Sequence, residues 1–338
     1  MPTPTPTPRP SPSPTLTPTP TPIPPPLAVK EETVAPAVAN PDAAQPVRAI
    51  PVELDKLTTE RVAAYQVALE RLHFSCGFVD GDQGMRTRRM LKSYQKSRGL
   101  PVTGELDPAT RDSIGEPGEP FHDYTVTAED MAKVVPPPKT WVEKSKAAYL
   151  GYTSAWEMLA EKFHCRVSYL KALNPNERVI TEGSVIVAPK ISPTAPLPKA
   201  ASLRVLLGDT AIQALDAKGN IIAHFPCSIA KDKNKRPSGT LTVINYAPNP
   251  NYTFDPKVLT EAALAENITR KMIIPPGPRN PVGTAWIGLS LPGYGMHGTP
   301  EPENISRTQS HGCFRLANWN AEKLLKMIKI GTPVEVVP

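Results

Sequence analysis

The sequence predicts a multidomain chain: a proline-rich spacer, a three-helix module, a small α+β module and a mainly-β, sandwich-like C-terminal domain. Three observations lead there. Thirteen of the 43 prolines crowd into residues 1–26. Apolar residues recur at helical spacing between Tyr65 and Tyr94. From about residue 201, short apolar runs alternate with turn signals. The length of 338 residues suits two or three domains of roughly 100–200 residues each.

The opening MPTPTPTPRPSPSPTLTPTPTPIPPP alternates Pro with Thr and Ser and has almost no apolar side chain to bury. Proline pre-sets φ near polyproline II, so residues 1–52 read as an extended, solvated spacer. No stretch is long and apolar enough to span a bilayer. No signal-peptide core is evident at the N-terminus, and the opening Met on a Pro/Thr run reads as the start of a shortened chain.

The net charge of +6 is uneven: residues 199–338 carry 16 Lys+Arg against 10 Asp+Glu, and residues 1–198 balance at 22 against 22. With no Lys/Arg run longer than two, a nucleic-acid partner is not expected. A mildly basic C-terminal domain fits a carboxylate-bearing substrate, or is an ordinary solvated surface. Cys76, Cys165, Cys227 and Cys313 are widely spaced with no CxxC, which indicates neither a zinc knuckle nor a disulfide framework. The first three read as buried free thiols, with a bridge left open.

Residues 53–115 read as the helical module. Tyr65, Leu69 and Leu72 share one stripe, and Thr87, Leu91 and Tyr94 another. "DGDQG" at Asp80–Gly84 makes the turn between them, and Asp107-Pro108 opens a third helix. The run ALERLHFSCGFVDGDQGMRTRRMLKSYQKSRGLPVTGELDPAT resembles the peptidoglycan-binding domain 1 family. Its DGxxGxxT…GLPVTG punctuation appears in order from Asp80 to Gly104.

Residues 116–139, with "VVPPPK", read as a connector. In 140–191, Ser154 and Glu157 form a capping box before one short helix, Asn174-Pro175 stops a second, and Val185–Ala188 is a short strand. "LNP" after two helices and a closing "VAP" strand are similar to a LysM module, although the initial strand of a LysM is not obvious.

Residues 201–338 form the mainly-β domain, with hairpin turns at Gly208-Asp209 and Lys218-Gly219-Asn220. One helix is expected near its end, capped by Asn318 or Asn320. Leu324, Leu325 and Ile328 form its stripe and Gly331 its stop.

The stretch "TQSHGCFRLANW" concentrates the chemistry. A thiol becomes nucleophilic when a histidine within hydrogen-bond reach takes its proton. His311 precedes Cys313 by two residues and would share its face in an extended strand. His297, 16 residues upstream, can return against the thiol through the polar loop GTPEPENISRTQS. Gly312 lets the backbone pack closely and leaves amide N–H groups to hold an oxyanion. A zinc site of His297, His311 and Cys313 competes with this reading, as does a structural thiol.

With "PPGPRNPVGTAWIGL" ahead of it, "YGMHGTPEP…SHGCFRLANW" resembles the L,D-transpeptidase catalytic domain of the YkuD type. The likeness covers 201–338 and the motif positions fall on His297, Ser310, His311, Gly312, Cys313 and Arg315. Three departures are visible: Phe314 stands for a commoner Ile or Val, Ser306 where Gly is frequent, and Asn320 where Asp is frequent. By resemblance Cys313 is the nucleophile, His297 the proton acceptor and donor, and His311, Gly312 and Ser310 support them. Arg315, Gly298, Thr299 and Tyr294 are expected to bind substrate. No metal or cofactor is implied.

The resemblance implies an enzyme that joins peptidoglycan stem peptides in 3→3 cross-links through a cysteine thioester. Its partners would be stem peptides and glycan, with carbapenem-type β-lactams as covalent inhibitors and the cell envelope or periplasm as location. A carboxypeptidase would release the same thioester to water, and a wall-binding protein would not turn over at all. The helical module would raise the enzyme's concentration at the wall as a tethered binder.

Overall fold

Thr58 starts the first helix, α1 (Thr59–Arg71), its side chain accepting the Arg61 N–H at 3.2 Å. The computed structural model describes residues 57–307 and 312–338; residues 1–56, which hold the expected spacer, and Ser310 and His311 lie outside them. Helix α2 (Met85–Ser97) follows the glycine turn, and α3 (Pro108–Ile114) is capped by the Asp107 carboxylate, which accepts the Thr110 N–H at 2.8 Å. This is the expected Asp-Pro start, because proline gives up only an N–H that the first turn leaves unpaired. Leu69, Leu91 and Tyr94 meet in one core with Phe74. Buried Gln66 pins the turn, accepting the Asp80 and Gly81 N–H groups and donating to Asp82 O and Thr87. Gly81 has φ +72°, and a Cβ there would lie 2.4 Å from Thr59 O. Only glycine fits.

The second module runs β1 (Phe121–Thr125), α4 (Ala128–Ala132), α5 (Trp141–Lys144), α6 (Ala155–Lys162), α7 (Val167–Leu173) and β2 (Val185–Pro189). β1 pairs antiparallel with β2, Phe121 opposite Pro189 and Thr125 opposite Val185. β1 lies inside the stretch read as a connector. Its FHDYT sequence has no clean apolar alternation, because none of its side chains is fully buried. Ser154 does cap α6, accepting the Glu157 N–H at 3.2 Å, but Glu157 turns its carboxylate to Thr153 instead of completing the box. The core around Leu159, Leu170 and Ile186 also takes Ala63 and Val67 from α1.

The third part runs β3 (Ser202–Leu206), β4 (Ala211–Leu215), β5 (Ile221–Pro226), β6 (Gly239–Pro248), β7 (Tyr252–Phe254), α8 (Thr260–Ala265) and β8 (Met272–Ile274). It continues with β9 (Ala285–Leu289), β10 (Gly295–His297), β11 (Phe314–Arg315), α9 (Asn318–Met327) and β12 (Pro333–Val337). Eight of these strands form one sheet in the order β11-β10-β9-β6-β12-β3-β4-β5. β6 is long enough to serve both halves. Its first residues pair with β12 and its later ones with β9, with a register shift between Val243 and Asn245. A bulge of this kind bends and twists a strand, and the sheet curls over one core. Leu203, Ile212 and Phe225 from one half meet Ile287, Met296 and Phe314 from the other, with Leu324 and Met327 of α9 between. The two layers of the expected sandwich are thus halves of a single sheet. The expected cap on α9 is absent: no side chain caps it, and Asn318 is instead fully buried.

The helical module is fused to this sheet. Edge strands invite stray pairing, and β5 is covered by the segment after α1: Ser75 N–H donates to His224 O at 2.9 Å and His224 N–H to His73 O at 3.1 Å. Ser93 of α2 bonds both His224 Nδ1 and Gln213 Nε2, each at 2.8 Å. Glu70 of α1 accepts from Lys323 of α9 at 2.5 Å and lies 3.1 Å from His164, between α6 and α7. Burial pushes the Glu70 carboxyl up, but Lys323 and His164 overcome it and hold it well below the usual range. Helix α1, the α6–α7 corner and α9 therefore share one ionic cluster.

Candidate active site

β10 lies between β9, antiparallel to it, and β11, parallel to it. Directly opposite residues share a face. Met296 faces Phe314 across one pair and Ile287 across the other, and all three are in the core. One residue on, Trp286, His297 and Arg315 stand in a row across the three strands, on the opposite face. Cys313 precedes Arg315 by two residues, on the run into β11. The parallel pairing thus sets His297 beside Arg315, and Cys313 is near enough to feel the Arg315 charge.

His297 is 7 % exposed. Its Nδ1 lies 2.6 Å from Gly298 O; a carbonyl only accepts, so Nδ1 carries the proton and Nε2 the basic lone pair. Burial pushes the imidazole pKa down to about 4, and the Arg315 charge pushes the same way. His297 is therefore neutral at ordinary pH. Trp286 stacks on it, ring centroids 5.8 Å apart and planes at 22°. Gly295 makes room: a Cβ there would lie 2.6 Å from the Trp286 ring.

Cys313 is half-buried, with Sγ 3.6 Å from Gly293 O. Burial raises its pKa, against the Gly295 backbone N–H and the Arg315 guanidinium, which favour the thiolate. At ordinary pH the Cys313 thiol and the His297 imidazole therefore both rest neutral. Burial, and then the nearby Cys313, raise the phenol pKa of Tyr252 on β7. Trp141 of α5 packs against Phe254 at 4.8 Å, and Glu266 accepts the Trp141 N–H at 2.8 Å. The β7–β8 excursion thus rests on the second module.

The remaining expected residues divide. Tyr294 borders Gly312, its ring carbon 3.4 Å from where a Cβ would sit, and donates to Lys235 O at 3.0 Å. Thr299 is buried and accepts the Glu301 N–H at 3.3 Å. Gly298 is enclosed by the Asn318 amide, whose Oδ1 is 2.2 Å from a Cβ built there. Ser306 stands where the family frequently has glycine and adopts φ +61°. Its N–H donates to Ser228 Oγ and its hydroxyl to Cys227 O, both at 3.0 Å. Those two bonds hold the left-handed turn that a glycine would adopt freely.

Sequence reading missed Trp286, Gly295 and Asn318. Asn318 accepts the Thr284 N–H at 3.2 Å and donates to Glu161 of α6 at 2.9 Å. Trp286 and Gly295 carry a signal only once strand register is known, because one is eleven residues before His297 and the other two.

The YkuD model, L,D-transpeptidase catalytic domain, matches residues 204–336, and the model described as "Putative peptidoglycan binding domain" matches 58–114. A Bacillus licheniformis protein named "Putative L,D-transpeptidase YkuD" is 24% identical over 184 residues, 54% of this chain and 93% of that protein. The solved L,D-transpeptidase from Xylanimonas cellulosilytica (residues 123–326) is 15% identical with TM-score 0.33, covering 82% of this chain and 92% of that one. The Ldtfm–avibactam carbamoyl enzyme is 19% identical with TM-score 0.30, covering 45% of this chain and 55% of that one, so this chain spans about half of its length. In Fuscovulum blasticum, the "Putative L,D-transpeptidase in ATP synthase subunits region ORF 5" is 30% identical over 136 residues, 39% of this chain and 69% of that protein. On that match, and on the catalytic-domain model that coincides with the curled sheet, this chain belongs to the L,D-transpeptidase family.

Proposed function

We propose that the protein is a cysteine-dependent L,D-transpeptidase that forms 3→3 cross-links between peptidoglycan stems. One observation supports this most: the register of β10 and β11 sets His297 and Arg315 opposite each other, with Cys313 close enough to feel the Arg315 charge. His297 takes the thiol proton through Nε2 as Cys313 attacks the carbonyl of the L-centre of the donor's diamino acid. The Gly295 N–H and neighbouring amides meet the oxyanion. Collapse expels the terminal D-amino acid, protonated by His297, and leaves a thioester. The side-chain amine of a second stem then attacks the thioester, again through His297. Arg315 favours the thiolate and draws stem carboxylates, with Tyr294 lining the approach and Gly298, Thr299, Ser310, His311 and Gly312 shaping the turn. Carbapenem-type β-lactams would acylate the same sulfur.

Residues 53–115 are read as the wall-binding module and 201–338 as the catalytic domain. Residues 140–191 are read as LysM-like, although β1, the strand that pairs with β2, lies outside those bounds at Phe121–Thr125. Both recognised domains act on peptidoglycan, which places the protein in the cell envelope. Mass spectrometry of purified muropeptides incubated with the protein tests the reaction. Cross-linked dimers are expected; tripeptides alone would mean a carboxypeptidase, and unchanged muropeptides a binder.

A further inference from the structure

A cavity of about 230 Å³ lies away from Cys313, between the helical module and the loop that runs from His297 towards Cys313. Arg86 and the start of α2 line one side of it, and Ile305, Ser306 and Arg307 the other. The Arg86 guanidinium lies over the Phe78 ring at 5.2 Å, with Arg166 also on that ring at 4.8 Å. Arg166 is matched by Asp80 at 2.6 Å and by Glu303. Arg86 has no such match. Its Nη1 is sealed from solvent without a hydrogen-bond partner, and among the described residues no carboxylate forms an ion pair with Arg86 or Arg307. Burial lowers the Arg86 pKa, and Arg166 and Arg307 lower it further, against the raising effect of Cys76 and Asp80. No side chain caps α2, whose Gly84 N-cap also borders the cavity.

Buried donors without acceptors are rare in native proteins and call for a missing partner. Two unmatched guanidinium groups beside an uncapped 13-residue helix form an electropositive pocket. Two carboxylates also border the cavity: Asp80, which is paired with Arg166, and Asp82.

We propose that this cavity is a second peptidoglycan site, in which Arg86 and Arg307 clamp a carboxylate of a stem peptide. The inference rests on the wall-acting reading above for the chemistry of its ligand. A stem held there would bridge the helical module and the loop bearing Ser306, so that wall binding and the approach to Cys313 share one contact.

The test uses the full chain and a purified disaccharide-tripeptide with free carboxylates, titrated by calorimetry after Cys313 has been acylated with a carbapenem. Binding should persist in the acylated protein and weaken about tenfold or more in Arg86→Gln. Arg86→Lys should recover only part of it, because a lysine is not a planar fork. A thermal melt checks each variant's fold, and Arg307→Gln replaces Arg86→Gln if the latter melts early. Equal binding by wild type and both glutamine variants would overturn the site. So would loss of all binding on acylation. Inorganic phosphate competing as well as the muropeptide would overturn the peptide assignment. Failure of the carbapenem to acylate wild type would count against the catalytic reading, and the titration would then be run on the untreated chain.

Discussion

Trp286 lies flat against His297, its indole parallel to the imidazole within 22° and one strand away. The contact excludes water from the ring, and burial is the first cause of the pKa of about 4. Because neutral His297 is the working form, the acid limb of acylation should fall near pH 4. Trp286→Ala admits water and should move that limb up towards the ordinary value near 6.5. Stopped-flow acylation by a carbapenem between pH 3.5 and 8 reads the limb directly. An unmoved limb would mean that Trp286 does not govern the imidazole.

The helical module should be inseparable from the catalytic sheet. A chain beginning at residue 116 uncovers the β5 edge and strips Ser93 from His224 and Gln213. It should melt earlier or aggregate, instead of remaining a soluble enzyme that has only lost its wall affinity. Ser93→Ala in the full chain isolates the polar part, and should cost about 1–3 kcal/mol in denaturant unfolding. A truncated chain with an unchanged melting point would restore the tethered-binder view.

Glu161 sets a pH dependence of opposite sign to that of His297. Its carboxyl is raised to about 7 by burial, despite bonds from Asn318 and Tyr152. A group raised on folding stabilises fully below its unfolded pKa, near 4.5, and that stability is lost as pH climbs through 7. Glu161→Gln removes the titration. Relative to wild type, it should gain stability between pH 5 and pH 8, on the order of 2–3 kcal/mol at most. A difference that stays flat with pH would place the carboxyl in its ordinary range.

Much of the fold is legible in the sequence. Asp107-Pro108, the helical stripes of Tyr65, Leu69, Leu91 and Tyr94, and the hairpins after residue 201 are local signals, and local structure follows them. Strand β1 was not legible, because its pairing partner lies some 60 residues on and its own side chains are half-exposed. Asn318 read as a cap because asparagine favours that position. Tertiary packing instead draws it into the space left by Gly283 and Gly298. The motif points to His297 and Cys313, but the row of Trp286, His297 and Arg315 depends on register across three strands. Register is a property of the folded sheet.

The central claim is that Cys313 forms the covalent intermediate with His297 as its base. Intact-mass measurement of the full chain with a carbapenem, followed by peptide mapping, tests it most directly. One adduct should appear, on the peptide carrying Cys313, and none in Cys313→Ser. His297→Ala should slow its formation by about 10²–10⁴-fold. An adduct on Cys76, Cys165 or Cys227, or one formed equally fast without His297, would contradict the account.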